Sequence, residues 1–146
     1  MMYNGKEIEL PEMVEVMEEG SSRPYNIRHR AYYFSRDIIR FAGEADHDRM
    51  FASLFEQLLR SATSIGANVV ESVAGSSKRD FLNFSRIALK SANETKYWLC
   101  LIHDTMSVDK AKVAALIREA DELSKIIASI IINTLKVDGK GVGQDL

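Results

Sequence analysis

Residues Leu58–Ile102 read LLRSATSIGANVVESVAGSSKRDFLNFSRIALKSANETKYWLCLI. Apolar side chains recur here at helical spacing on both sides of the break Gly75-Ser76-Ser77, as two amphipathic helices joined by a tight turn require. Ser77 stands where an N-cap belongs, and Asp80 three residues on completes a capping-box arrangement at the start of the second of these helices. Small and polar residues are set into the apolar faces: Ser61, Ala62, Ser64, Gly66 and Ala67 before the turn, Ser85, Ala88, Ser91 and Ala92 after it. Such residues predict two backbones that approach closely.

The same periodicity extends outward. One helix is predicted from about Arg28 to Ala45, with Ala31, Phe34, Ile38 and Ala42 as its seam, and Gly43–His47 as the following turn. The next runs from about Asp48 to Val73 on Leu54, Leu58, Ala62, Ile65, Val69 and Val73. The helix capped by Ser77 buries Phe81, Phe84, Ala88, Thr95, Leu99 and Ile102. A last helix, capped by Ser107 with Asp109 in its first turn, uses Val113, Leu116, Ala120, Leu123, Ile127, Ile130 and Thr134. Only Pro11 and Pro24 occur, so 122 residues after Pro24 carry no proline to interrupt a helix. The reading is all-α: an antiparallel up-down-up-down four-helix bundle over residues 25–136, an acidic N-terminal arm over 1–24 and a flexible glycine-rich tail over 137–146. Within the arm, Pro11, Met13, Val16 and Met17 form a short amphipathic pattern that Gly20 stops.

Composition narrows the function classes. A chain of 146 residues can bury a core without disulfides or metal. The single Cys100 lies in the apolar run Trp98–Ile102 and reads as a buried thiol, consistent with a reducing, cytoplasmic setting. The acidic first twenty residues do not resemble a secretory signal, and the apolar stretch Ile126–Ile132 is too short to span a bilayer, so no membrane association is expected. The net charge of −2 conceals an asymmetry: −5 over residues 1–20, +3 over 21–105 and zero over 106–146. The bundle body is mildly basic, compatible with an anionic partner though far from a strongly basic nucleic-acid module.

Catalytic constellations are not found. Di-metal sites in bundles need two inward Glu-x-x-His pairs plus two further Glu, whereas the chain has one, Glu44 to His47, in a predicted turn. No Gly-rich phosphate loop or nucleophilic cysteine motif occurs, and no metal or cofactor is expected. Three surfaces remain. Ser64, Asn68 and Glu71 share one helix face, as do Lys90, Glu94 and Tyr97 on the next helix; if the faces meet, Glu71 can pair with Lys90 or Arg86 in a register-fixing polar network. Arg36 and Arg40, with Lys78, Arg79, Arg86 and Lys90, are candidate nucleic-acid contacts, and a solvated face neutralised by Asp37 and Glu94 is the competing account of them. The end of the last helix is apolar nearly all round, marking Ile126, Ile130 and Ile131 as an oligomer interface.

The stretches Gln57–Ser72 and Ser76–Leu99 resemble the paired signature of the four-helix-bundle proteins encoded within intervening sequences of 23S ribosomal RNA genes. The likeness is carried by Leu59-Arg60-Ser61, Ser64-Ile65, Asn68, Glu71, Ser77-Lys78, Asp80-Phe81, Ile87–Lys90, Glu94-Thr95 and Tyr97-Trp98-Leu99. Val70-Glu71-Ser72 departs mildly from the usual surroundings of the helix-two glutamate. The resemblance implies a homo-oligomeric ring, often a pentamer, with no established enzymatic activity. It is more distantly similar to the accessory protein of diversity-generating retroelements, which implies RNA, DNA or a nucleic-acid enzyme as partner. A non-enzymatic binding module follows as the expectation, with a purely structural scaffold for protein partners as the alternative.

Overall fold

The computed structural model describes residues 2–3, 6–7 and 26–139. In it, α1 (Ile27–Glu44), α2 (Ala52–Ala74), α3 (Lys78–Thr105) and α4 (Lys110–Gly139) form an antiparallel four-helix bundle. Each helix packs on its sequence neighbours and α1 closes against α4, while the backbones of the diagonal pairs stay apart. Ahead of the bundle, Met2–Tyr3 and Lys6–Glu7 make a two-residue antiparallel ladder. The amphipathic pattern around Met13, Val16 and Met17, like residues 140–146 of the tail, lies outside the described residues.

Local chemistry sets the helix ends. The Asn26 side chain accepts the Arg28 N–H and starts α1 one residue before the expected Arg28. A short 3-10 turn, Arg49–Phe51, takes up the stretch expected to open α2. Ser77 caps α3 as read from the sequence, its hydroxyl accepting the Asp80 N–H at 3.1 Å. The cap of α4, however, is Asp109 rather than Ser107: its carboxylate accepts both the Ala111 and Lys112 N–H groups, satisfying two otherwise free donors at once. The last helix runs to Gly139, three residues past the expected boundary. At Gly75 a Cβ would stand 3.1 Å from the Asp80 Cβ, so the tight α2–α3 turn leaves little room for a side chain.

Phe34, Ile38, Leu58, Ile65, Leu99, Ile102, Leu123 and Ile127 are the largest apolar side chains that are fully buried, with Phe41 and Phe55 buried beside them. Burial of each contributes roughly 1.5–3 kcal/mol. Several seam positions shift by one residue from the expected pattern. Ser72 is buried in place of Val73, Phe41 lies deeper than Ala42, and Leu82 and Ser85 replace Phe81 and Phe84, which are half-buried. With 3.6 residues per turn, the repeated four-residue steps ending at Ala42 and Val73 drift off the buried side of α1 and α2, and the helix buries the neighbour instead, while on α3 the buried row runs through Leu82, Ser85 and Ala88. Cys100 is likewise exposed rather than buried. On a helix the run Trp98–Ile102 buries only Leu99 and Ile102, and Cys100 points about 100° away from Leu99.

Candidate functional site

The most extensive interface in the bundle, between α2 and α3, carries a ladder of hydroxyls. The Thr95 hydroxyl donates to Ser61 Oγ at 2.9 Å and lies 2.7 Å from the Ser91 carbonyl, while Ser64 and Ser91 share a hydrogen bond at 2.9 Å. Asn68 Nδ2 donates to the Ser64 carbonyl and hydroxyl at 2.8 and 3.0 Å. Among the described residues no buried side-chain polar atom lacks a partner, so the ladder lets hydroxyls occupy a tight seam without an unsatisfied group.

The ladder includes Ser64 and Asn68 from the expected polar network but not the rest of it. Glu71 is exposed and pairs with neither Arg86 nor Lys90, both also exposed. It borders a depression between α1 and α2 together with Arg28. Glu94 pairs with Arg60 at 2.5 Å, and accepts from Trp98 Nε1 at 3.2 Å. Tyr97 points outward, 58% exposed, with its ring edge-on to Trp98. Sequence reasoning missed Arg60 and Trp98 as partners of Glu94, and the Ser61–Thr95 pairing. The signal for the latter was Thr95 four residues after Ser91 on the row of the buried Ala88, Ala92 and Leu99, which indicates donors as well as room for close packing. Gly66, placed by sequence in the α2–α3 seam, faces α1 instead: a Cβ there would stand 3.6 Å from the Ala31 backbone. Ala67 is exposed.

Charged candidates divide between two faces. Arg79, Asn83, Arg86, Lys90, Asn93 and Tyr97 are all exposed and follow one another along α3 in steps of four and three residues, forming one outward stripe, with Lys78 exposed at its start. Arg79, Arg86 and Lys90 have no ion-pair partner among the described residues. Arg36 and Arg40 lie on α1, diagonal to α3, so the two basic groups point to different sides and cannot make one patch on a single chain. Arg36 is partly neutralised by Asp37 at 3.1 Å and packs over the Tyr33 ring. Elsewhere cations are engaged structurally. Arg30 on α1 grips Glu119 on α4 through two hydrogen bonds of 2.6 and 3.1 Å, which hold the guanidinium above its ordinary pKa. Asp121, held below its ordinary value by hydrogen bonds from Lys125 and Lys96, ties α4 to α3.

The expected oligomer surface needs correction. Ile131 is 8% exposed and belongs to the core, while Ile126 and Ile130 are half-buried. The outward apolar residues near the end of α4 are Ile132, Leu135 and Val137, with Ile132 51% exposed. A second apolar surface is an open depression of about 340 Å³ between α1 and α2, floored by Gly66, walled by Tyr32, Thr63 and Val70, and bounded by Arg28 and Glu71. Glu44 and His47 do not form a metal site together: Glu44 pairs with Lys112, and the His47 ring stacks on Phe55. Among the described residues no three His, Cys, Asp or Glu side chains cluster as metal ligands, and no helix is long and apolar enough to cross a membrane.

The class the fold defines is the four-helix bundle, here with a hydroxyl-laddered α2–α3 seam and a cationic outer face on α3. Residues 23–129 match the 23S rRNA-intervening sequence protein family, and the chain belongs to that family. It is also similar to a crystal structure of a protein of unknown function from the S23 ribosomal protein family of Bacteroides thetaiotaomicron. The two share 33% identity and a TM-score of 0.65, over 73% of this chain and 98% of that one. No curated protein matches this chain.

Proposed function

We propose that this chain is a cytoplasmic, non-enzymatic, homo-oligomeric binding module whose partner is nucleic acid, engaged through the outer face of α3. The observation that carries the reading is the stripe Arg79, Arg86 and Lys90: three exposed cations on one helix face, without carboxylate partners among the described residues. By contrast, Arg30, Lys96 and Lys125, which lie against other helices or turns of the bundle, are held by carboxylates. Oligomerisation amplifies a modest patch, because phosphate contacts add across copies. The apolar residues Ile132 and Leu135 at the end of α4 supply a surface for that assembly, and the family resemblance favours five copies.

Filter binding of structured RNA across a salt series tests the reading. Affinity should fall steeply with salt, and combining Arg79→Ala, Arg86→Ala and Lys90→Ala should flatten the slope by roughly one for each phosphate the variant no longer neutralises. Arg36→Ala with Arg40→Ala should change it less. Light scattering should give a mass several times that of one chain, reduced by Ile132→Glu. A monodisperse monomer that retains no RNA at low salt would refute the proposal. The depression between α1 and α2 favours a second reading, a scaffold for protein partners, which would then stand first.

A further inference from the structure

We propose that the outward stripe of α3 is a track for unpaired nucleic acid, in which Tyr97 stacks on a base while Lys90 and Arg86 hold the adjoining phosphates. This rests on the reading of α3 as the nucleic-acid face and adds the class of strand it takes and a residue that selects it.

The stripe from Arg79 to Tyr97 is straight and about 27 Å long at the helical rise of about 1.5 Å per residue. Its chemistry changes along that length. Cations and the amides of Asn83 and Asn93 occupy most of it, and an aromatic ring stands at the end. The ring is not needed by the core, since Thr95, Leu99 and Ile102 fill the buried side of the same turns. Trp98 meets Tyr97 in an edge arrangement, with centroids 5.0 Å apart and planes at 69°, so the two rings are not stacked face to face. Trp98 is itself anchored through its Nε1 hydrogen bond to Glu94, which fixes the support beside Tyr97.

Of the carboxylates near the stripe, Glu94 is paired with Arg60, and Asp80 follows Arg79 at the helix start, about 100° round the helix from the row. The face presented to a ligand is therefore cationic, with one exposed aromatic about two turns beyond Lys90. Bases inside a duplex stack on one another and offer no free face, so a lone exposed tyrosine beside phosphate-binding cations gains most from a strand whose bases are unpaired. Stacking of this kind tolerates any base and predicts little sequence preference.

Fluorescence anisotropy with a labelled oligouridylate and a blunt RNA duplex of equal length, on the full chain at low salt, tests the proposal. The single strand should bind more tightly, and Trp98 emission should change on binding. Tyr97→Ala should weaken the single strand by roughly tenfold with no matching decrease for duplex and no change in salt slope, whereas Tyr97→Phe, which keeps the ring, should restore affinity. Lys90→Ala and Arg86→Ala should instead flatten the salt slope. Thermal melts of each variant separate weakened binding from unfolding. Equal affinity of Tyr97→Ala and the unmodified chain for the single strand, or failure of Tyr97→Phe to restore it, overturns the stacking role while leaving the α3 face as a nucleic-acid surface. Absence of binding to either probe overturns both.

Discussion

Between α2 and α3, hydroxyls of Ser61, Ser64, Ser91 and Thr95 meet across a seam whose residues are small enough for the helices to close together. Between α1 and α4 the packing is the least extensive of the four helix pairs, and the ties are ionic: Arg30 to Glu119, partly buried, and Glu44 to Lys112 at the surface. The first seam depends on what is absent, namely side-chain volume. The second depends on long side chains that reach across a gap. A substitution that adds bulk should therefore hurt most at α2–α3, and one that removes charge should register mainly at α1–α4.

Ser61→Leu is the severest test. Ser61 is fully buried with the Thr95 hydroxyl 2.9 Å from its oxygen, so the added carbons have no space, and the cost should be about 1–3 kcal/mol or more in denaturant unfolding. A variant of unchanged stability would show that the seam is looser than the ladder implies. Arg30→Ala should cost roughly 1–3 kcal/mol by removing two hydrogen bonds to the partly buried Glu119 carboxylate. A double-mutant cycle with Glu119→Ala should return a coupling above about 0.5 kcal/mol. Additive effects would mean that the pair contributes nothing to holding α1 on α4. Glu71→Ala should be the mildest, within about 0.5 kcal/mol, since the side chain is exposed and without an ion-pair partner among the described residues. A large destabilisation there would restore Glu71 to the interhelical network.

The bundle was legible because its signals repeat. Ala31, Phe34, Ile38, Leu58, Ala62, Ile65, Leu99 and Ile102 are buried as their spacing required, and Ser77 caps α3 in the manner its position announced. Less legible was which flank of a helix each polar residue occupies. Ser64, Asn68 and Glu71 share a face in sequence, yet Ser64 bonds Ser91 across the α2–α3 seam, Asn68 bonds back to Ser64 and Glu71 is exposed, because Asn68 and Glu71, three residues apart, stand about 60° from each other around the helix. At the end of α4 an unbroken run of isoleucines gives no phase. There sequence could not separate Ile131, in the core, from Ile132, outside it. The division of the basic residues was hidden for another reason: only the arrangement of helices around the bundle places α1 and α3 diagonally.

The three residues Gly75–Ser77 joining α2 to α3 also bear on how the chain acquires its structure. Closing so short a loop costs little chain entropy, and the most extensive helix interface in the molecule is formed between partners that are immediate neighbours in sequence. Local interactions of this kind form early and favour rapid folding. The α2–α3 hairpin should thus be structured in the folding transition state, with Leu58 and Leu99 showing high φ-values, and α1 and the far end of α4 should dock onto it afterwards.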